Sequence, residues 1–245
     1  MEIPGVEVRR MARCGSTNSV LLEERGLASP VLLVAAEQSA GRGRRGRRWL
    51  GEPGAGLAFS LARPIRRPPR ELAALSLIAG VAAARALRAL GVTRAALKWP
   101  NDLVVGEAKL GGILVETRAA GRETLAVFGI GINCHGADAL ERRLRRRVAC
   151  LDQFIAVDAE KTAEKIVLAL MANLDAFEAE GFEAARREWE ALHAHAGQRL
   201  KVKLSDGRSV TGIAAGLAED GALALRTRTG LRTVRSGRVM SARLA

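Results

Sequence analysis

The sequence predicts an α+β fold, a mixed or antiparallel sheet with flanking helices, followed by a small C-terminal β-barrel. Three observations predict it. Apolar runs of strand length recur between residues 31 and 132, several at hairpin spacing, which favours neighbouring antiparallel strands over alternating β and α units. Two stretches, 70–90 and 158–195, carry apolar residues at helical spacing. After Gly197 the texture changes to short strands punctuated by Asp-Gly turns. The division falls near Gly197, giving units over 1–196 and 197–245, and no internal repeat is visible.

Each element has its own warrant. Residues 6–12 alternate weakly and read as a strand. Ser16-Thr17-Asn18 precedes Leu21-Leu22, so a hydroxyl or amide there is placed to cap a short helix. Val31 to Ala36 is a continuous apolar run, hence a buried strand. A Gly/Pro-rich segment from Gly51 to Gly56 leads into a strand over Leu57 to Ala62. Leu72, Leu75, Ile78, Val81 and Ala82 form the stripe of a helix ended by Gly91. Ala95 to Trp99 is a short strand stopped by Pro100, and Asp102–Val105 pairs with Lys109–Thr117 around Gly106-Glu107. Residues 124–132 form a further strand, 138–147 a charged helix, and 158–195 a helical region broken near Gly181. Beyond Gly197, strands are expected at 199–204, 210–216, 222–226, 231–234 and 238–240, with turns at Asp206-Gly207 and Asp220-Gly221.

Composition excludes several classes. The chain has 245 residues, 48% of them hydrophobic, enough for a real core and inconsistent with disorder. No apolar run approaches the ~20 residues needed to span a bilayer, and the start Met-Glu-Ile-Pro-Gly-Val-Glu has no basic and apolar leader, so a soluble cytoplasmic protein is expected. Cys14, Cys134 and Cys150 are too few and scattered for a disulfide framework. His193 and His195 would face apart on a helix, and His135 has no acidic partner at zinc-ligand spacing, so no metal site is expected. The net charge is +13, and 33 of the 39 basic residues are arginine, which favours an acidic partner.

Residues 41–49, Gly-Arg-Gly-Arg-Arg-Gly-Arg-Arg-Trp, dominate the functional reading. Arginine presents a planar fork of donors that matches carboxylate and phosphate oxygens, and interleaved glycine lets the backbone approach a ligand closely. The tract suits a loop that closes over a small anion; a solvated basic loop or a nucleic-acid tract is the competing reading. Gly41, Gly43 and Gly46 spell GxGxxG, but Gly51, Pro53, Gly54 and Gly56 follow where a helix would be required, and Ser60 to Arg70 holds no carboxylate for a ribose. No P-loop signature occurs.

Four further segments belong with the tract. Ser16, Thr17 and Asn18 offer compact donors and acceptors suited to a urea-like group, against a plain helix cap. Gln38 ends a buried strand beside the tract. Asn101 and Asp102, after Pro100, lie at a sheet end where they could orient a ribose, a Mg²⁺ or a substrate N–H, against a simple turn. Lys109 opens an otherwise apolar strand and needs an anionic partner. Gly111, Gly112, Gly129 and Gly131 let a ligand approach the sheet, and Asn133 is the polar terminus of the last strand.

Together, Ser16-Thr17-Asn18, the 41–49 tract, Lys98-Trp99-Pro100-Asn101-Asp102, Lys109-Leu110-Gly111-Gly112-Ile113-Leu114-Val115-Glu116 and Gly129-Ile130-Gly131-Ile132-Asn133 resemble the segments of the biotin protein ligases. They occur in that family's order and spacing, over nearly the whole chain. The resemblance implies a class II aminoacyl-tRNA synthetase/biotin ligase-like catalytic domain and an SH3-like barrel. It implies activation of biotin as biotinyl-5′-AMP by ATP with Mg²⁺, then transfer to a lysine of a biotin carboxyl carrier protein domain, that of acetyl-CoA carboxylase or a related biotin-dependent enzyme. By the same resemblance Ser16, Thr17, Asn18 and Gln38 would hold the biotin rings, and Gly41, Arg42, Gly43, Arg44, Lys109 and Gly112 would complete the biotin site. Arg42, Arg44, Arg47, Trp49, Asn101, Asp102, Lys109 and Asn133 would meet ATP or the adenylate, with Lys109, Arg44 and Asp102 catalytic and Asn133 near the adenine. The fifteen residues before Ser16 leave no room for the helix-turn-helix domain of the repressor members, so an enzyme-only form without DNA binding is expected, as monomer or homodimer. A lipoyl or octanoyl ligase or transferase of the same fold, which should lack the arginine-glycine signature, and a basic nucleic-acid-binding module are the alternatives.

Overall fold

The computed structural model describes residues 1–27, 29–50, 54–121 and 123–243. Strands β1 (Glu7–Cys14), β2 (Val31–Gln38), β3 (Gly56–Ile65), β4 (Ala95–Lys98), β5 (Asp102–Val105), β6 (Ala108–Ala120) and β7 (Glu123–Asn133) form one sheet in the order β1-β2-β3-β7-β6-β5-β4. Only β1 runs parallel to its neighbour β2, so the sheet is mixed. Helix α1 (Thr17–Glu23) packs on one face, while α2 (Leu75–Ala89), α4 (Ala159–Glu180) and α5 (Glu183–Ala191) pack on the other; α3 (Ala137–Leu144) follows β7. Strands β8 (Arg199–Leu204), β9 (Ser209–Leu217), β10 (Leu223–Thr227), β11 (Gly230–Val234) and β12 (Gly237–Arg243) make a second, antiparallel sheet of SH3-like order, with β12 returning beside β8.

Side-chain alternation along the central strands separates two interiors. On β7, Leu125 and Val127 join Leu21 of α1, Val31 and Leu33 in one cluster, while Ala126, Phe128, Ile130 and Ile132 enter the main core. Helix α2, Leu-Ser-Leu-Ile-Ala-Gly-Val-Ala-Ala-Ala-Arg-Ala-Leu-Arg-Ala, is buried almost all round because its alanines and Gly80 let the sheet, α4 and α5 approach closely. The segment Pro69–Ala89 is long and apolar enough to cross a bilayer, but 67% of its apolar 18-residue window is buried inside this core.

Element boundaries differ from expectation where tertiary contacts intervene. The stretch 70–90 opens as a 3₁₀ turn over Pro69–Ala74 before α2 begins at Leu75. The helix expected over 138–147 ends at Leu144, and Arg145 takes a left-handed conformation (φ 49°). Val148 and Cys150 are buried with Leu140, so the chain folds back along β6 instead of continuing as a helix. The helical region 158–195 breaks at Gly181 (φ 83°) as expected, but α5 stops at Ala191 because residues 192–194 add to the edge of β4 through Leu97 N–H···O Leu192 (2.8 Å) and Ala194 N–H···O Leu97 (2.9 Å). Gly51 and Pro53, in the Gly/Pro-rich segment, lie outside the described residues.

The two sheets share one core, in which Leu200, Val202, Leu217, Leu223 and Leu225 pack with the interior of the larger unit. Trp99, in the turn after β4, is 2% exposed and donates its indole N–H to Gly221 O (3.4 Å) in the Asp220-Gly221 turn. Glu190 accepts from Leu217 N–H (2.8 Å). His193 and His195 lie in the connecting segment, His193 against Trp189 with ring centroids 4.5 Å apart. His193 Nε2 and His195 Nδ1 are buried without hydrogen-bond partners among the described residues. Burial and the neighbouring His195 push the His193 imidazole down to about 3. Burial, reinforced by Lys98, also lowers His195, with Glu107 acting the other way.

His193 stays neutral in the folded protein down to about 3, whereas the unfolded chain gains its proton as pH falls through about 6.5. Stability therefore drops on acidification, by about 1.4 kcal/mol per pH unit for His193 between those two values, and the lowered His195 acts in the same direction. Urea denaturation of wild type and His193→Leu between pH 7 and pH 5 is expected to show a shallower slope in the variant. Removing the Trp99 side chain empties the junction between the sheets, so Trp99→Ala should lose about 3–5 kcal/mol in the same measurement.

Candidate active site

A cavity of about 310 Å³ lies between the α1 face of the main sheet, the 41–49 loop and β12 of the second sheet. Its floor follows from strand register. Ser60, Gly129 and Leu114 form one cross-strand row, and Ala58, Gly131 and Gly112 the next, all on the face that carries α1. Asn18 sits on the first row, where a Cβ on Gly129 would fall 2.2 Å from its Oδ1. Trp49 sits on the second, where a Cβ on Gly131 would fall 2.4 Å from the indole.

One end of the cavity is neutral and polar. Ser16 stands at the N-cap position of α1 but makes no side-chain cap bond, so the plain capping role does not hold and its side chain lines the cavity instead. Gln38 Oε1 accepts from Thr17 N–H (2.8 Å) and lies 3.2 Å from Thr17 Oγ1. Ser60 Oγ is within hydrogen-bond distance of Thr17 Oγ1 (2.7 Å) and Asn18 Oδ1 (2.6 Å). Asn18 Nδ2 donates to Glu116 Oε2 (2.9 Å), and Arg42 closes the network through Glu116 Oε1 (2.8 Å). Preset side chains of this kind fix the orientation of a small polar ligand.

The basic tract folds back on itself as a lid. Gly43 N–H donates to Arg47 O (2.7 Å) and Trp49 N–H to Gly41 O (2.9 Å), with Arg45 at the tip in the left-handed region (φ 57°). Gly41 is required by this closure, since a Cβ there would stand 2.7 Å from Trp49 O. Arg45 Nη2 donates to Ser236 Oγ (2.7 Å), tying the lid to the second sheet just before β12.

Lys109 lies at the centre. Its backbone is fixed on both sides: Lys109 N–H donates to Arg147 O (3.2 Å), and Lys109 O accepts from Ala149 N–H (2.9 Å) and Asn133 Nδ2 (3.0 Å). Its ammonium is paired with Asp102 Oδ1 and stands 5.7 Å from the centroid of the Trp49 ring. Asp102 is presented by β5, and Asn101 beside it donates through Nδ2 to Ile113 O (2.6 Å), locking β5 to β6. Cys134 and Cys150, each pushed up to about 11 chiefly by burial, are unsuited to serve as nucleophiles at neutral pH.

The structure thus gathers Ser16, Thr17, Asn18, Gln38, Arg42, Gly43, Arg44, Arg47, Trp49, Asn101, Asp102, Lys109 and Gly112 around one cavity. Gly41 does not line it and acts through the lid's backbone. Asn133 does not line the cavity; its amide also donates to Ala149 O (3.2 Å), so it ties β7 to the strand-like segment beside Lys109. Sequence reasoning missed Ser60 and Glu116, which complete the polar end, and Arg146, Arg147 and Arg238, which enter from the loop after α3 and from β12. Ser60 was legible as the one hydroxyl in an apolar strand; the arginines had no local signal.

The Biotin/lipoate A/B protein ligase family matches residues 11–133, and the Biotin protein ligase C terminal domain matches residues 195–240. The chain is 34% identical over 243 residues to a biotin--[acetyl-CoA-carboxylase] ligase of Paracoccus denitrificans, covering 94% of this chain and 98% of that protein. The chain belongs to the biotin protein ligase family. It is also 37% identical over 213 residues to the bifunctional ligase/repressor BirA of Salmonella typhimurium, covering 86% of this chain but only 66% of that longer protein. Among solved structures, the biotin protein ligase from Aquifex aeolicus in complex with biotin and ATP superposes with a TM-score of 0.82 at 27% identity, covering 98% of this chain and 99% of that one. The fold expected for a biotin protein ligase, a mixed α+β sheet with an SH3-like C-terminal sheet, is the fold found.

Two site variants test the geometry of this biotin protein ligase. Gly131→Ala should displace Trp49 from the floor; Trp99 and Trp189 are buried, so a change in tryptophan emission would report the displacement. Ser60→Ala should leave Thr17 and Asn18 without a shared partner and weaken ligand binding at the polar end by about 1–3 kcal/mol, read by calorimetric titration with biotin.

Proposed function

We propose that the chain activates biotin with Mg-ATP as biotinyl-5′-AMP and transfers the biotinyl group to a lysine of an acidic biotin carboxyl carrier domain. The observation that carries this reading is the position of Lys109 and Asp102 between a neutral, preset polar pocket and a cluster of arginines. A urea-like ring fits the first region, and a carboxylate and phosphates fit the second.

In the first step a biotin carboxylate oxygen attacks the α-phosphorus, and pyrophosphate leaves with the bonding pair. Two anions must meet, so the chief task is electrostatic stabilisation in a partly enclosed site, and positioning adds to it. Lys109 exchanges its pairing with Asp102 for the carboxylate and α-phosphate oxygens. Arg42, Arg44 and Arg47 meet the adenylate and the phosphates from the lid, while Trp49 and Asn101 bound the nucleotide side. Mg²⁺ would accompany the triphosphate and offset part of its charge. In the second step the carrier lysine's amine attacks the anhydride carbonyl, AMP departs, and Asp102 takes up the proton.

On this reading residues 1–196 are the catalytic domain and 197–245 a domain that completes it. The excess of positive charge serves an acidic carrier, and dependence on ATP fits a cytoplasmic setting. Electrostatic donors of this kind contribute about 10²- to 10³-fold in rate. Lys109→Ala is therefore expected to lose at least that much biotinyl-5′-AMP formation, while Asp102→Asn should lose more in transfer to the carrier lysine. The deciding assay is transfer of labelled biotin to a purified carrier domain with and without Mg-ATP; labelling by lipoate or octanoate in place of biotin would reassign the acid.

A further inference from the structure

The hydrogen bonds at the polar end of the cavity have a direction. Leu114 O and the Glu116 carboxylate are acceptors, so the Asn18 amide must turn its Nδ2 toward them (3.2 and 2.9 Å) and its Oδ1 toward Ser60 Oγ (2.6 Å). Ser60 has one hydroxyl proton and spends it on Asn18, so the Thr17 hydroxyl must donate to Ser60 Oγ (2.7 Å). Thr17 N–H in turn occupies Gln38 Oε1 (2.8 Å), which leaves Nε2 as the free donor of that cavity-lining side chain. The donors of Thr17, Ser60 and Asn18 are thereby spent, and Thr17 Oγ1 and Asn18 Oδ1 offer the cavity lone pairs. The other Glu116 oxygen is held by Arg42 (2.8 Å), which also donates to Ser19 Oγ (3.2 Å). We propose that Glu116 is a positioning residue that determines specificity: by fixing the direction of the Asn18–Ser60–Thr17 chain, it makes the pocket an acceptor of ligand N–H groups.

The inference rests on the ligase reading above and names the residue that selects the acid. Glu116 lies two residues beyond Leu114 on β6, so it shares the face that carries α1. It acts on the ligand through Asn18. A urea ring brings N–H donors to Thr17 Oγ1 and Asn18 Oδ1 and a carbonyl to Gln38 Nε2. A dithiolane or an alkyl end brings neither, and a site built to hydrogen-bond its ligand rejects such analogues by leaving its own polar groups unpaired. Asn18 is 2% exposed and Ser60 fully buried, so solvent does not reach in to repair a reversed chain. Glu116→Gln performs that reversal at nearly constant shape. Arg42 only donates, so the new amide turns its oxygen to Arg42 and its nitrogen to Asn18. Two N–H groups then face each other, or Asn18 turns over, Ser60 and Thr17 reverse with it, and Leu114 O loses its partner.

Titration of the whole enzyme with biotin, octanoate and Mg-ATP separates this role from general damage. Glu116→Gln is expected to weaken biotin about tenfold or more, the loss that follows when a buried donor and acceptor no longer match. Octanoate, which has no N–H, and Mg-ATP should each stay within about twofold, as for sites the substitution does not touch. The preference for biotin over octanoate therefore falls about tenfold. Glu116→Asp keeps the carboxylate and should recover part of that preference. Arg42→Met leaves the Glu116 carboxylate facing Asn18, so its biotin-to-octanoate ratio should stay within about threefold of wild type even where both affinities fall. Unchanged biotin affinity in Glu116→Gln, or a parallel fall for biotin and octanoate, would overturn the assignment. So would a loss of preference in Arg42→Met equal to that in Glu116→Gln. Failure of the ligase reading itself looks different: wild type would then bind no biotin.

Discussion

The pairing of Lys109 with Asp102 depends on a backbone clamp built by three strands and the segment after α3. β6 carries Lys109, the segment 147–149 holds its N–H and C=O, and Asn133 at the end of β7 donates to the same carbonyl. β5 presents Asp102 and is locked to β6 through Asn101. A charge-stabilising ammonium works best when it does not have to reorganise at the moment of reaction. The sheet order places the clamp at the junction of the polar pocket and the arginine cluster.

The cavity walls are an exercise in making space on a sheet. Side chains on the α1 face give way to Gly129, Gly131 and Gly112, and what fills the vacated volume is Asn18 and Trp49. The same residues that remove bulk therefore seat the ligand-facing groups. On the opposite face the sheet needs no such concession, and β7 there contributes Phe128, Ile130 and Ile132 to a continuous core. That core runs into the second sheet, with Trp99 as the link, so the position of β12 against the cavity is set by packing over the whole interface. The lid bridges both units, closed on itself by Gly41 and Gly43 and fastened to Ser236 by Arg45.

Residue patterns close together in sequence are the readable part of this protein. The 41–49 tract, the Lys98-to-Asp102 turn and the glycine-interrupted strands each carry their chemistry within a few residues, so local sequence is enough to name the pocket components and most strands. Boundaries fail where a distant contact overrides local preference. Arg145 and the segment after it have the composition of a charged helix end, yet Val148 and Cys150 are drawn into a cluster with Leu140 and the chain turns along β6. Asn133 has the place of a nucleotide contact because it ends a strand, and only the arrival of residues 147–149 beside it shows where its amide points.

The sequence by itself determined the fold class and the family. These depend on periodicity, turn chemistry and short motifs, all of which are local. Tertiary structure alone decided which partners complete the site: Ser60 and Glu116 under the polar pocket, Arg146 and Arg147 from the segment after α3, and Arg238 from the second sheet. Nothing in the neighbourhood of Arg238 distinguishes it from the many other arginines of the chain. Its place follows from how β12 pairs with β8 and how the second sheet packs on Trp99, which is information carried by shape and burial.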